Sequence, residues 1–343
     1  MSDFNQPSER GGRWPQHPRA ERSLPFPSWW PILAGVTAGL ILRALVFVGR
    51  PGGPFAAMMG SFIYLAPLLV GAVTVYFTET IGRRSWSYYV AASVLASMLF
   101  IIGTLLIMIE GLICAIVIVP LFAMMGLVGG LIMGAVCRMT NWPRPTLCGL
   151  AVLPLLLGGF ETQLPLPDHI ETVERTLLIQ APPAVIWERI HDTPSIDPAA
   201  VANTWIYRMG APLPRSGISR ETAQGQVRVV HLQKGAHFEQ EFFDWQPYSH
   251  ARWRYRFTPD SFPPGTLDEH VVIGGHYFDL QEGELRMTPR GNATAVTLRI
   301  RYRVSTQFNW YASPLARALV GNLEESILTY YRQCVDPAAR SES

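Results

Sequence analysis

The sequence predicts an α-helical membrane region of about five transmembrane helices, followed by an α+β domain in which a curved antiparallel sheet wraps a long C-terminal helix. Three observations carry this. Residues 30–160 hold nearly all the long apolar runs of a chain that is 49% hydrophobic and only 16% charged, too little charge for a wholly water-soluble protein. Residues 226–233, 238–245, 251–257, 271–280 and 293–304 alternate apolar and polar side chains or nearly so, separated by Gly235, Pro247, Pro259, Gly283 and Gly291, with no helix-length pattern between them. That marks an antiparallel meander, not a βαβ repeat. Residues 314–332 (PLARALVGNLEESILTYYR) repeat Leu315, Leu319, Leu323 and Ile327 every fourth position, the spacing of an amphipathic helix. Arg317, Asn322, Glu324 and Glu325 fall mostly off that stripe. Pro314 suits its first turn, and Ser313 its N-cap.

In order, residues 1–28 read as a polar, disordered tail, 29–166 as the membrane region, 167–335 as the α+β domain and 336–343 as a C-terminal tail. The expected spans are 30–48, 55–77, 88–109, a run from 111 to 137, and a shorter run at 146–160. Arg43 lies near the end of the first and is expected to snorkel to the interface. Gly126, Gly130 and Gly134 recur every fourth residue of the fourth span, as close helix packing requires. Arg10, Arg13, Arg19 and Arg22, the Arg83-Arg84 loop, and Arg138 with Arg144 then share one side of the membrane. The positive-inside rule puts that side, and the N-terminus, in the cytoplasm. Five crossings leave the α+β domain outside, in the periplasm or on the outer face; if 146–160 is only re-entrant, the domain is cytoplasmic. The charge bias favours outside.

Formal charge divides along the same boundary, +4 over residues 1–166 and −2 over 167–343. The domain thus lacks the net basic character of a nucleic-acid binder, and none is expected as a partner. Cys334 is the one cysteine in it, so it forms no internal disulfide, and no Cys/His metal spacing occurs. No nucleophile elbow, P-loop or dinucleotide-binding glycine pattern appears.

The stretch Val173–Ile190 (VERTLLIQAPPAVIWERI), with Ala181, Pro182, Pro183, Val185 and Trp187, and the order strand, two short helices, strands, long helix, resemble the START-like superfamily. This is the Bet v 1-like helix-grip fold, grouped with polyketide cyclases and lipid-transfer proteins. The resemblance covers residues 171–335; nothing comparable is recognised in 1–166. It implies a deep, mainly apolar cavity between sheet and terminal helix. Members hold lipids, sterols, polyketides or plant hormones there, and a minority cyclise or dehydrate polyketides. No catalytic residue carries over.

The residues themselves nominate a ligand-binding set: Trp245, Trp253, Tyr255, Tyr277, Tyr302, Leu319 and Leu323. Polar candidates are Asp268, His270 and His276, placed on one strand parity with Gly274-Gly275 between the histidines. The histidines stand six residues apart, ~20 Å on a regular strand, too far for one ion, so neither metal nor cofactor is expected. Lys234, the only lysine, sits beside Gly235 in a turn. Arg252, Arg254 and Arg256 form one face of a strand and Arg299, Arg301 and Arg303 that of another. These rows are expected to meet carboxylates such as Glu239, Glu241 or Glu284, or lipid headgroups. Three functions follow: a membrane-attached, non-catalytic holder of a hydrophobic or amphipathic, lipid-like small molecule; a cyclase/dehydratase-type enzyme using the histidines; or a sensor or assembly factor whose membrane half does the work.

Overall fold

The computed structural model describes residues 29–46, 58–107, 111–140, 165–223, 225–267 and 272–335. Both expected tails lie outside these residues.

Four helices form the N-terminal bundle: α1 (Trp30–Val46), α2 (Gly60–Ile81), α3 (Trp86–Leu106) and α4 (Leu112–Thr140). Among the described residues, α2, α3 and α4 are long and apolar enough to cross a membrane. The 17 residues of α1 reach ~26 Å, short of the ~30 Å hydrocarbon core. About five crossings is therefore not the count the structure supports, and the expected run 146–160 lies outside the described residues.

The glycines of α4 serve packing within the chain. A Cβ on Gly126 or Gly130 would sit 1.9 Å from the hydroxyl of Ser97 or Ser93 on α3. On α2, a Cβ at Gly71 would stand 1.8 Å from the Gly126 carbonyl oxygen. No side-chain rotation relieves a clash with backbone. Gly71→Ala is expected to force α2 and α4 apart and cost about 1–3 kcal/mol, read as a lowered melting temperature in detergent. An unchanged melt contradicts this packing.

One end of the bundle is polar. Glu79, fully buried, accepts a hydrogen bond from the Tyr89 hydroxyl, with Arg83 Nε 3.8 Å away. Arg138 donates to the Arg84 carbonyl (2.7 Å) and its guanidinium lies 4.4 Å from the Trp86 ring centroid. This end gathers the start of α1, the α2–α3 connection and the end of α4.

The remaining elements are β1 (Asp168–Ile179), α5 (Pro183–His191), a 3-10 turn (Pro198–Ala200), α6 (Trp205–Arg208), β2 (Pro214–Thr222), β3 (Gly225–Leu232), β4 (His237–Gln246), β5 (His250–Arg256), β6 (Phe278–Arg290), β7 (Ala293–Ser305) and α7 (Asn309–Val335). The strands form one antiparallel sheet in the order β1-β7-β6-β5-β4-β3-β2. Alternation seats it: Val296, Leu298, Ile300, Tyr302 and Val304 of β7 are buried, while Arg299 and Arg301 point away. α7 packs across β1 and β7.

Two sequence expectations are corrected, and one strand was not foreseen. The strand at 271–280 begins only at Phe278 and runs on to Arg290, so Gly283 is not a separator. The indole of Trp253, its partner on β5, lies where a Cβ at 283 would stand (2.3 Å), and the missing side chain seats that ring. β2 (PRSGISRET) carries too few apolar residues to read as a strand. Finally, α7 starts at Asn309, so Pro314 is interior to it and Ser313 is no cap. Asn309 Oδ1 instead accepts from the Thr306 amide and hydroxyl, both at 2.9 Å.

That early start couples the two halves. Phe308, 3% exposed, belongs to the bundle's core. The Trp310 indole N–H donates to the Tyr64 hydroxyl (2.7 Å), and the Tyr311 hydroxyl to the Val117 carbonyl (2.6 Å). Tyr64 and Val117 lie within the first two turns of α2 and α4. The sheet domain thus docks on the bundle end opposite Arg83, Arg84 and Arg138.

The outward arginines meet carboxylates. Arg252 and Arg254 reach Glu282 (4.0 and 3.8 Å), Arg256 pairs with Glu241, Arg220 with Glu239 (2.6 Å), and Arg299 with Glu174 (3.0 Å) and Glu284 (3.7 Å). Such exposed pairs contribute ~0–1 kcal/mol each; they furnish the surface of the sheet.

Candidate functional site

A cavity of about 230 Å³ lies where sheet, α7 and bundle meet. α7 gives it Leu315, Leu319 and Leu323, one per turn. The sheet side gives Tyr277, Phe278, Leu280 and Val304, and α6 with its flank gives Ile206 and Met209. The bundle closes the other side with Phe62, Phe100, Ile101, Ile113 and Phe122. Arg43 also lines it, 2% exposed, its guanidinium carbon 5.7 Å from the Phe62 ring centroid. The snorkelling expectation is corrected: the sheet domain covers this bundle end, and Arg43 packs at the junction.

α6 is pinned to α7. The Ile206 amide donates to Asn322 Oδ1 (2.9 Å) and the Thr204 hydroxyl to Ser326 Oγ (3.0 Å). Asn322 lies off the leucine row, which frees its amide for α6.

A second, smaller cavity of about 60 Å³ lies further along α7. Trp187, Phe242, Trp245, Trp253, Tyr255, Ile327 and Tyr331 line it, with Arg228, His191 and Gln240 as polar members. Its aromatic wall is built edge to face, Trp187 on Trp245 at 4.6 Å and Phe242 on Trp245 at 4.9 Å between centroids.

The structure divides the predicted ligand set. Tyr277, Leu319 and Leu323 line the larger cavity, and Trp245, Trp253 and Tyr255 the smaller. Tyr302 lines neither; it is fully buried in the core and its hydroxyl donates to Glu171 Oε2 (2.9 Å). Burial and the Glu171 carboxylate together push its phenol up. Burial also opposes the charge of Glu171, but contacts from Arg317 and Tyr302 outweigh it and hold that carboxyl below the usual range. Of the polar candidates, Asp268 and His270 lie outside the described residues. His276 is exposed, its ring against Tyr277 at 4.9 Å, and it lines neither cavity.

Sequence reasoning missed the bundle's share of the cavity wall and misplaced Glu324. This residue is not off the buried stripe. It is 0% exposed, between Val320 and Leu328 on the row of α7 that meets the sheet. The signal was present: Ala316, Val320, Glu324 and Leu328 form a second i, i+4 row beside the leucines. Among the described residues no side chain hydrogen-bonds the Glu324 oxygens, which the Ile300 main chain approaches. Burial is the main cause that pushes its carboxyl up to about 8, against Arg175 of β1.

Sheet, gripped helix and the hollow between them define a helix-grip class of fold. No family model and no curated protein matches the chain. Similar solved structures include an aromatase/cyclase, Zhui, from Streptomyces sp. R1128 (19% identity, TM-score 0.30, 51% of this chain and 97% of that one). Others are a START superfamily protein from Mycobacterium smegmatis (12%, 0.32, 50% and 99%) and truncated norcoclaurine synthase from Thalictrum flavum (12%, 0.30, 49% and 94%). The fold class rests on the sheet order and the packing of α7 across β1 and β7.

Proposed function

We propose that this chain is a membrane-attached binding protein whose helix-grip domain holds a hydrophobic or amphipathic, lipid-like molecule and exchanges it with the bilayer. The observation that carries this is the shared wall of the larger cavity: one side belongs to the sheet and α7, the other to apolar helices. A ligand leaving lipid through the bundle enters the hollow without crossing water, which removes the main cost of moving apolar surface. At about 230 Å³ the space is below the ~300–1,000 Å³ usual for drug-sized ligands, so it suits a single chain or small ring system.

The purified full-length protein should yield about one apolar molecule per chain on solvent extraction. Leu319→Trp fills the hollow from a half-buried position and should lose that molecule while keeping its melting temperature. A wild-type protein that emerges empty from several lipid mixtures sinks the reading. The cyclase-type alternative has His276 as its one described candidate, and that residue faces solvent.

An orientation is part of the proposal. The arginine-bearing end of the bundle is cytoplasmic by the positive-inside rule, and the sheet domain sits at the other end, in the periplasm or on the outer face. α4 ends at the arginine end and β1 starts at the docking end, where the Pro167 carbonyl accepts from Asn309. A C-terminal alkaline phosphatase fusion should be active; an inactive fusion with a fluorescent cytoplasmic reporter reverses the assignment.

A further inference from the structure

We propose that Trp205 and Trp310 seat the sheet domain in the headgroup layer of the bilayer, so that the domain lies on the lipid surface and does not stand clear of it in water. This rests on the membrane-attached reading above and names the part of the domain that meets lipid.

Among the described residues, the exposed tryptophans are Trp29, Trp30, Trp86, Trp205 and Trp310, and all five lie at the two ends of the bundle. Trp29 and Trp30 open α1 and Trp86 opens α3, at the arginine end. At the docking end, Trp310 is 58% exposed although its indole N–H is held by the Tyr64 hydroxyl. Its ring lies 5.7 Å from that of Tyr311, whose hydroxyl reaches the Val117 carbonyl. Trp205 stands on α6, whose flank touches the same end. A Cβ on Gly210 would lie 4.0 Å from Ile113 Cγ1, in the first turn of α4. Ile206, next to Trp205, shares the cavity wall with Ile113.

Spacing selects the partner. The level of Val117 and that of Arg138, where the guanidinium meets the Trp86 ring, stand ~32 Å apart along α4. That matches the ~30 Å hydrocarbon core of a bilayer. Between these levels α4 exposes Met124, Val128, Ile132 and Val136, one per turn. Tryptophan joins a large apolar ring to one N–H donor, and so concentrates at both faces of a membrane. A protein partner gives no reason for two tryptophan levels set one bilayer thickness apart around an apolar band. Ile113 lies ~6 Å beyond Val117 on the same helix, which sets the wall of the larger cavity at the depth of the lipid heads.

The test uses full-length protein in vesicles of plain phosphatidylcholine and of phosphatidylcholine brominated near the top or near the end of its acyl chains. Bromine quenches tryptophan emission on contact. Trp205→Phe and Trp310→Phe each remove one emitter and keep an aromatic ring. Each variant should be dimmer than wild type in plain lipid. Most of that difference should vanish in top-brominated lipid, where the missing ring was already quenched, and less of it with bromine at the chain end. Trp30→Phe, at the other end of the bundle, should behave alike and reports the bundle's own insertion. Trp253→Phe, buried in the sheet domain, should show the same difference in all three lipids. If the Trp205 or Trp310 difference persists in top-brominated lipid while that of Trp30 vanishes, the proposal falls and the membrane and ligand readings stand. Blue-shifted emission from the persisting ring would then assign its cover to protein, such as a second copy of the chain. Stronger quenching from the chain end puts the rings in the hydrocarbon core and also overturns the proposal. If the Trp30 difference persists as well, the membrane reading falls with it.

Discussion

Glu324→Gln is expected to unfold at higher temperature than wild type, with a gain that widens as pH rises from about 5 to about 8. In the folded chain burial is the largest influence on this carboxyl and raises it; Glu174 also raises it, while Arg175 and the Ile300 main chain favour its charge without outweighing burial. The folded value of about 8 stands above the ordinary 4.5. Between those values the unfolded chain has released the proton and the folded chain still holds it, so the unfolded state gains with every step up in pH. Stability from this group is whole below pH ~4.5 and gone above the folded value. The full difference is on the order of 3–5 kcal/mol; glutamine, which does not titrate, escapes it. Melts of both proteins at pH 5, 6.5 and 8 decide the matter, and parallel pH profiles would contradict it. Nothing about a helix facing a sheet requires an acid at this position.

Phe308→Ala should loosen the sheet domain from the bundle. Phe308 lies in the bundle's own core although it precedes the last helix of the other half. Truncating a buried phenylalanine costs about 3–5 kcal/mol. Most of that should appear as weakened docking, because its neighbours Trp310 and Tyr311 hold the same junction through single hydrogen bonds. Hydrogen exchange on the full-length protein should speed up in the first turns of α2, α4 and α7 while β3 and β4 stay protected. The extracted apolar molecule should fall below one per chain, since the cavity loses its seal. Unchanged exchange at those turns would show that the halves are joined elsewhere.

Much of the sheet domain was readable because strand alternation is a local signal. β7 announces itself with Val296, Leu298, Ile300, Tyr302 and Val304 against three arginines. Glu284 was named for the arginine rows and pairs with Arg299; Glu282 was not, because Gly283 reads as punctuation in sequence and serves as a seat for Trp253 in space. The candidate site was readable in kind and not in arrangement. Six of the seven nominated side chains line a cavity, yet they divide between two, and Tyr302 turned instead toward Glu171. Periodicity gives the face a residue occupies; it does not say which strands or helices will stand opposite.

By itself the sequence determined the division into an apolar helical half and an alternating half, the antiparallel meander, and a terminal amphipathic helix, all properties of spacing along the chain. Only tertiary structure decided which of two neighbouring rows on that helix meets the sheet, and so buried Glu324 and left Leu315, Leu319 and Leu323 to a hollow. It alone carried Phe308 into the bundle and gave the cavity a wall of membrane helices. Burial is a relation between segments brought together by folding, and a carboxyl's environment is set by what arrives opposite it.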